Sequence, residues 1–328
     1  MTPFHYERPD DLDQALALAG PGARFIAGGT NLVDLMKESV ERPERLIDIT
    51  RLPLHGVLVE DNGGLRIGAL VSNADLAWHP EVQRRYPLLA EALLAGASPQ
   101  LRNMASAGCN LLQRTRCLYF HDVAAPCNKR EPGSGCPART GLNRDHAILG
   151  GSEHCVATHP SDFCVALAAL EAEVRVIGPS GRRSIPFADF HRLPGDTPQR
   201  DSQLADGELI TEIVLPPSPF GRHCHYLKVR ERASFAFALV SVAAALRLEG
   251  SHIAEARLAL GGVAHKPWRV PEAEAELIGQ PCTPASYRLA ADRLLQGAEG
   301  LGSNDFKVEL ARRAVIRALA TAAQGGCP

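Results

Sequence analysis

Apolar and polar positions follow two different periods along this chain, and the changes of period divide it into three segments. In the first, residues 10–19 place Leu12, Ala15, Leu16 and Leu18 at helical intervals, which predicts a short amphipathic helix. Residues 24–27 (RFIA) read as a short strand, residues 32–37 as the start of a helix and residues 45–49 as another strand, a small βαβ-like unit. The second segment opens with strands at 56–60 and 65–70 around Asp61-Asn62-Gly63-Gly64, a hairpin by its turn chemistry. A helix is expected near 86–94, and Ser161 can cap another that runs through Leu170 with Phe163, Leu167 and Leu170 on one face. Strands at 173–177 and 206–215 follow. The third segment, from about Arg222, reads as strands at 225–229, 238–248 and 253–260, then helices at 271–278, 284–296 and 305–323. Runs of strands followed by runs of helices mean an α+β protein.

One stretch carries neither period. Between Asn110 and Pro160 the chain is polar, rich in Gly and Pro, and holds Cys117, Cys127, Cys136 and Cys155. Loops this long inside a compact domain are uncommon and usually functional or disordered. With so few apolar groups to offset its ordering entropy, the stretch is expected to need a staple, and four thiols point to a metal centre. The intervening lengths of nine, eight and eighteen residues match neither a zinc knuckle nor the bacterial ferredoxin run, so spacing alone leaves the metal open. Four unrelated surface thiols would be the plainer reading. His121, His146 and His154 lie in the same stretch, where isolated histidines are usually solvated.

Composition narrows the field by exclusion. The 328 residues are 45% hydrophobic and 22% charged, ordinary for a globular chain with two or three domains. A net charge of -2 gives no electrostatic reason to expect nucleic acid. The longest apolar run, residues 235–246, is too short to span a bilayer, and the N-terminus shows no signal-peptide pattern, so the chain itself reads as cytoplasmic. Nine cysteines, unevenly spread, argue for thiols made in a reducing compartment; Cys224, Cys282 and Cys327 show no pairing pattern, and Cys164 reads as a core residue.

Two loops have the composition of anion cradles. Ala27-Gly28-Gly29-Thr30-Asn31 joins a strand to a helix, where converging backbone N–H groups and a helix N-terminus favour a phosphate. By itself such a glycine pair is more often a tight turn. A second small-residue patch, Ser106-Ala107-Gly108-Cys109-Asn110, shifts the balance, because two loops could grip one pyrophosphate. Asp162, at a helix start, either caps that helix or accepts hydrogen bonds from a ligand hydroxyl.

In order, RFIAGGTNLVDLMK, MASAGCNL, HPSDFCVALAALEAEVRV, GELITEIVLPP, YLKVRERASFAFALVSVAAAL and LGGVAHKPWR resemble the FAD-binding subunit of the molybdenum hydroxylases, the xanthine dehydrogenase and carbon monoxide dehydrogenase flavoproteins. The resemblance implies a two-part FAD-binding domain of the PCMH type, at 1–55 and 56–220 with a cysteine-rich insertion at about 112–158, and a C-terminal domain at 221–328. It implies that Phe25, Ile26, Ala27, Gly28, Gly29, Thr30, Asn31 and Leu32 wrap the FAD pyrophosphate, and that Ser106, Gly108 and Asn110 form the second loop. Asp162 would sit on the polar chain of the flavin, Ile210 would pack near the cofactor, and Lys228 would lie close to the isoalloxazine as a cation. Cys109 stands where the family usually has a second glycine, a strain of about 1–2 kcal/mol if the position needs a positive φ. The cysteine insertion resembles that of periplasmic-type aldehyde oxidoreductases and hydroxybenzoyl-CoA reductases, which implies a [4Fe-4S] cluster on Cys117, Cys127, Cys136 and Cys155.

The function so implied is electron transfer within a molybdenum-dependent aldehyde oxidoreductase. Electrons would pass from a molybdenum-cofactor large subunit and a [2Fe-2S] small subunit through FAD to an external acceptor. No catalytic side-chain constellation of this chain's own is visible, consistent with a cofactor that supplies the chemistry. Two alternatives stand beside it: a self-contained flavin oxidase, and a zinc-stapled binding module without a redox role. Co-export with a partner carrying a twin-arginine signal would place the complex in the periplasm.

Overall fold

The computed structural model describes residues 1–327, which form three sheets. The first is parallel, with β1 (His5–Glu7), β2 (Ala23–Ile26) and β3 (Arg45–Asp48) in the order β1-β3-β2. The helix Leu12–Leu18 crosses from β1 to β2, with the Asp11 side chain accepting from Gln14 N–H as its N-cap. The helix Leu32–Lys37 returns the chain towards β3. All three residues of β1 are exposed, so no apolar alternation marks it in the sequence.

The second sheet is antiparallel. It comprises β4 (Val57–Val59), β5 (Leu65–Gly68), β6 (Glu173–Gly178), β7 (Gly181–Pro186) and β8 (Leu209–Leu215), in the order β4-β5-β8-β6-β7. Its inner residues Leu65, Ile67, Val174, Val176 and Ile213 pack with the helices Pro87–Ala95 and Asp162–Ala169 into the largest core cluster. Ser161 does cap that second helix: its Oγ accepts from Cys164 N–H at 3.1 Å. Cys164 is fully buried in the same cluster, as expected of a core residue.

The third sheet, β9 (Cys224–Val229), β10 (Val240–Glu249), β11 (His252–Gly261) and β12 (Trp268–Arg269), is antiparallel in the order β12-β11-β10-β9. Both faces of β10 are covered. Val242, Ala244 and Leu246 point into the cluster with the helices Pro284–Leu294 and Phe306–Ala323. Ala243 and Ala245 face the helices of the second segment, and that second face is what joins the two cores. Small alanines on that face let the helix Asp162–Ala169 approach closely, and the same contact carries β9 and its Lys228 to the start of that helix.

Three features depart from the sequence expectations. The polar stretch is not structureless. It contains the helix Leu118–His121 and a 3-10 turn at Pro137–Arg139, and hydrogen bonds hold it. Asn128 Oδ1 accepts from the N–H groups of Gly133 and Gly135 at 3.1 and 2.8 Å, and Arg130 donates to the carbonyls of Tyr119, Phe120 and Ala125. Short helices at Asn73–Trp78, Pro80–Arg85, Pro99–Met104 and Ala107–Leu111 lie where no helical periodicity is legible, because one or two turns give too few apolar repeats. Finally, Cys224 and Cys327 are disulfide-bonded with Cα atoms 5.4 Å apart, a pair hidden by a separation of 103 residues. No helix among the described residues is long and apolar enough to cross a membrane.

Candidate functional site

A cavity of about 1870 Å³ runs between the parallel sheet, the second segment and β9. It exceeds the roughly 300–1,000 Å³ of an ordinary small-ligand pocket and suits an elongated ligand. Phe25, Ile26, Ala27, Gly28, Gly29, Thr30, Asn31 and Leu32 line it from one side, Ser106, Asn110, Asp162 and Lys228 from the other. Two of the expected residues do not line it. Gly108 is turned to the protein: its N–H donates to Ala69 O at 2.8 Å, and a Cβ there would meet Ala69 Cβ at 2.8 Å. The Ile210 side chain is buried in the core of the second sheet.

The first loop has the chemistry of an anion cradle. Gly29 adopts φ +70°, open to glycine at little cost, and the N–H groups of Gly29, Thr30 and Asn31 donate to no protein acceptor among the described residues. Gly28 has no room for any side chain, because a Cβ would lie 1.7 Å from the carbonyl oxygen of Met104. The two loops therefore touch backbone to backbone. Asn31 Nδ2 and Ser106 Oγ, one from each loop, are buried without a hydrogen-bond partner. Buried polar groups are nearly always paired, and a ligand in the cavity could satisfy both. Asn110 is partly committed: its Oδ1 accepts from Ser161 Oγ at 2.6 Å and Gln113 Nε2 at 2.7 Å. Cys109 carries no backbone strain. It lies in the helix Ala107–Leu111 and its φ is negative, so the conditional penalty does not arise. Burial raises its thiol pKa.

At the other end, Lys228 is not a free cation. Its Nζ donates to Asp162 Oδ2 at 2.7 Å and to Ala95 O at 3.1 Å, and Tyr226 OH donates to Asp162 Oδ1 at 2.8 Å. The pair is buried, with side chains 4% and 8% exposed. Charge on Lys228 is thus neutralised within the protein, and Asp162 has both oxygens engaged. Arg230 also donates to Ala95 O, at 2.9 Å, and Arg102 to Gly96 O, at 2.6 Å, so cations gather at the C-terminus of Pro87–Ala95.

A buried polar group went unread in the sequence. Arg114 pairs with Glu41 at 2.6 Å and Asp201 at 2.8 Å, and the fully buried Lys129 donates to Asp201 as well. Burial alone would raise the Asp201 pKa, but Lys129 and Arg114 outweigh it and hold the carboxyl well below the usual range. Beside it, burial lowers His191 and His265 to about 4 and His159 well below its ordinary value. His159, Cys164 and His191 place ligand atoms within 4.8 Å of one another. Yet His159 Nδ1 accepts from Ser161 N–H at 3.3 Å and His191 Nε2 donates to the Leu111 carbonyl at 2.8 Å, so each imidazole already commits one ring nitrogen to the backbone. These ties join residues 41, 114, 129 and 201, far apart in sequence, which no local pattern could have revealed.

Cys117, Cys127, Cys136 and Cys155 line one small second cavity with Phe120, Pro126, Ala138 and His146. Burial pushes the Cys117 and Cys155 thiols up to about 12 and about 11 and raises that of Cys136. Bare thiolates are costly there, and a bound cation would make them favourable.

The comparisons agree with this geometry. Residues 2–218 match the family described as the FAD binding domain in molybdopterin dehydrogenase, and residues 225–322 match the CO dehydrogenase flavoprotein C-terminal domain. The chain is 52% identical over 325 residues to the aldehyde oxidoreductase FAD-binding subunit PaoB of Escherichia coli (strain K12), covering 98% of this chain and 99% of that one. It is 30% identical over 323 residues to the carbon monoxide dehydrogenase medium chain of Hydrogenophaga pseudoflava, covering 96% of each. A solved structure of the carbon monoxide dehydrogenase from that organism superposes with a TM-score of 0.76 at 30% identity over the whole of both chains. The chain belongs to the FAD-binding medium subunits of the molybdenum hydroxylase family.

Proposed function

We propose that this chain is the FAD subunit of a molybdenum-dependent aldehyde oxidoreductase and that the large cavity is its flavin site. The observation that carries the reading is the pair of loops, 27–31 and 105–110, closing on one cavity with an unpartnered buried donor and hydroxyl facing it. Likeness to the aldehyde oxidoreductase subunit over nearly the full length supports the substrate class. When bound, FAD supplies the redox chemistry, and the protein supplies position and electrostatics. Gly29, Thr30 and Asn31 would present N–H groups to the pyrophosphate while Gly28 lets the second loop close behind it. Ser106 and Asn31 would complete their hydrogen bonds on the same ligand. Lys228 and Tyr226 hold Asp162 in place, so Asp162 offers its remaining lone pairs at a fixed point on the cavity wall.

Cys117, Cys127, Cys136 and Cys155 are proposed to hold a [4Fe-4S] cluster. Their place around one small cavity supports the reading, and the resemblance of the insertion favours iron–sulfur over zinc. A molybdenum-cofactor large subunit and a [2Fe-2S] small subunit are the proposed partners, delivering electrons that leave for an external acceptor. The buried Cys224–Cys327 disulfide supports an oxidising compartment, reached by co-export of the folded complex with a partner. Anaerobic addition of an aldehyde substrate to the purified complex tests the reading. Bleaching of the flavin absorption in the complex, but not in the isolated chain, is expected; bleaching in the isolated chain would favour a self-contained oxidase.

A further inference from the structure

Thr115, Cys117 and His146 line both the large cavity and the cysteine-walled one, so they form the partition between the two. His146 is not a solvated loop histidine. It is 4% exposed, and its Nε2 lies 3.0 Å from Cys117 Sγ. Its backbone is gripped from the C-terminal segment: Lys307 Nζ and Asn304 Nδ2 donate to its carbonyl at 2.9 and 3.2 Å. Asn143 extends the grip by donating to Leu301 O at 2.9 Å. The other ring nitrogen, Nδ1, is buried and completes no hydrogen bond. The nitrogen that has a partner is Nε2, and a thiolate at Cys117 accepts but cannot donate.

We propose that His146 is a positioning residue that donates Nε2–H to the thiolate sulfur of Cys117 and thereby raises the reduction potential of the metal centre held there. The inference rests on the reading of Cys117, Cys127, Cys136 and Cys155 as cluster ligands. An N–H aimed at a ligand sulfur stabilises negative charge on it, and the reduced state carries more of that charge, so the donor favours reduction. Because the ring stands in the partition, the residue that sets this potential is also the one facing the proposed flavin cavity. Nothing in the local sequence marks it, since its anchors are at positions 304 and 307.

The test uses the intact complex with His146→Phe, which keeps a flat ring and removes the donor, and His146→Gln, which keeps an amide N–H. Iron and acid-labile sulfide are measured first, then the midpoint by redox titration followed by electron paramagnetic resonance. Full iron content with a more negative midpoint is expected for the Phe variant, a roughly tenfold shift in the reduced-to-oxidised ratio or about 59 mV for one electron. The Gln variant should fall between it and wild type. An iron-replete Phe variant with an unchanged midpoint overturns the proposal and leaves the cluster reading intact. If the Phe variant loses its iron, wild-type complex labelled with nitrogen-15 histidine decides: a histidine nitrogen coupling in pulsed spectra of the reduced centre is expected, and its absence overturns the proposal. Wild-type complex that holds zinc and no iron or sulfide beyond the share of its [2Fe-2S] subunit overturns the cluster reading itself.

Discussion

Gly28→Ala isolates the contact on which the proposed flavin site depends. A methyl group at this position would lie 1.7 Å from the Met104 carbonyl oxygen and 2.5 Å from its carbon, where non-bonded atoms need more than 3 Å. Neither atom is the end of a flexible side chain, so the two loops must part by more than an ångström. Overpacking of this kind costs about 1–3 kcal/mol. If the separation falls on the ligand-gripping geometry, FAD affinity should drop by roughly 5- to 150-fold, since about 1.4 kcal/mol is tenfold. Gly20→Ala is the matched control, because a Cβ there meets nothing within 4 Å and the same cavity is lined by Gly20. The assay is FAD titration of the flavin-stripped protein by fluorescence, with thermal unfolding of the stripped proteins run in parallel. Weakened binding in Gly28→Ala, with an unchanged Gly20→Ala control, is the expected result. Wild-type affinity in Gly28→Ala would refute the argument that backbone contact between the loops shapes the site.

Two further perturbations probe the polar core. Lys228→Met leaves Asp162 buried with only Tyr226 as a partner and should destabilise the chain by about 3–5 kcal/mol, read as a fall in Tm, whereas a solvated lysine would give almost none. The histidines set a pH dependence. Burial depresses His191 and His265 to about 4, below the unfolded value near 6.5, so between those limits the unfolded chain binds more protons. Stability is therefore complete above about pH 6.5 and declines as pH falls towards about 4, by roughly 1.4 kcal/mol per unit for each histidine. Denaturant midpoints measured from pH 8 to 4 should show this slope, and His191→Phe should reduce it; a flat profile contradicts the burial argument.

Much of the fold was legible because its elements are long or capped. Ser161 announced a helix, the Asp61 to Gly64 turn a hairpin, and the C-terminal strands and helices followed their periods. The first loop was legible because glycine pairs are conspicuous, although Gly28 matters for its contact with Met104, which sequence cannot display. What stayed hidden depends on partners distant in the chain. Lys228 read as a free cation because Asp162 is 66 residues away. His146 read as solvated because Cys117, Asn304 and Lys307 surround it only in three dimensions. The polar stretch looked structureless because its order comes from Asn128 and Arg130 bonding to backbone, which leaves no apolar period.

The central claim is that the cavity closed by residues 27–31 and 105–110 holds FAD. Flavin content of the purified chain, released by denaturation and quantified against protein, tests it most directly. About one FAD per chain, falling in Gly28→Ala, is the predicted result. A colourless protein that takes up no FAD on titration would contradict it.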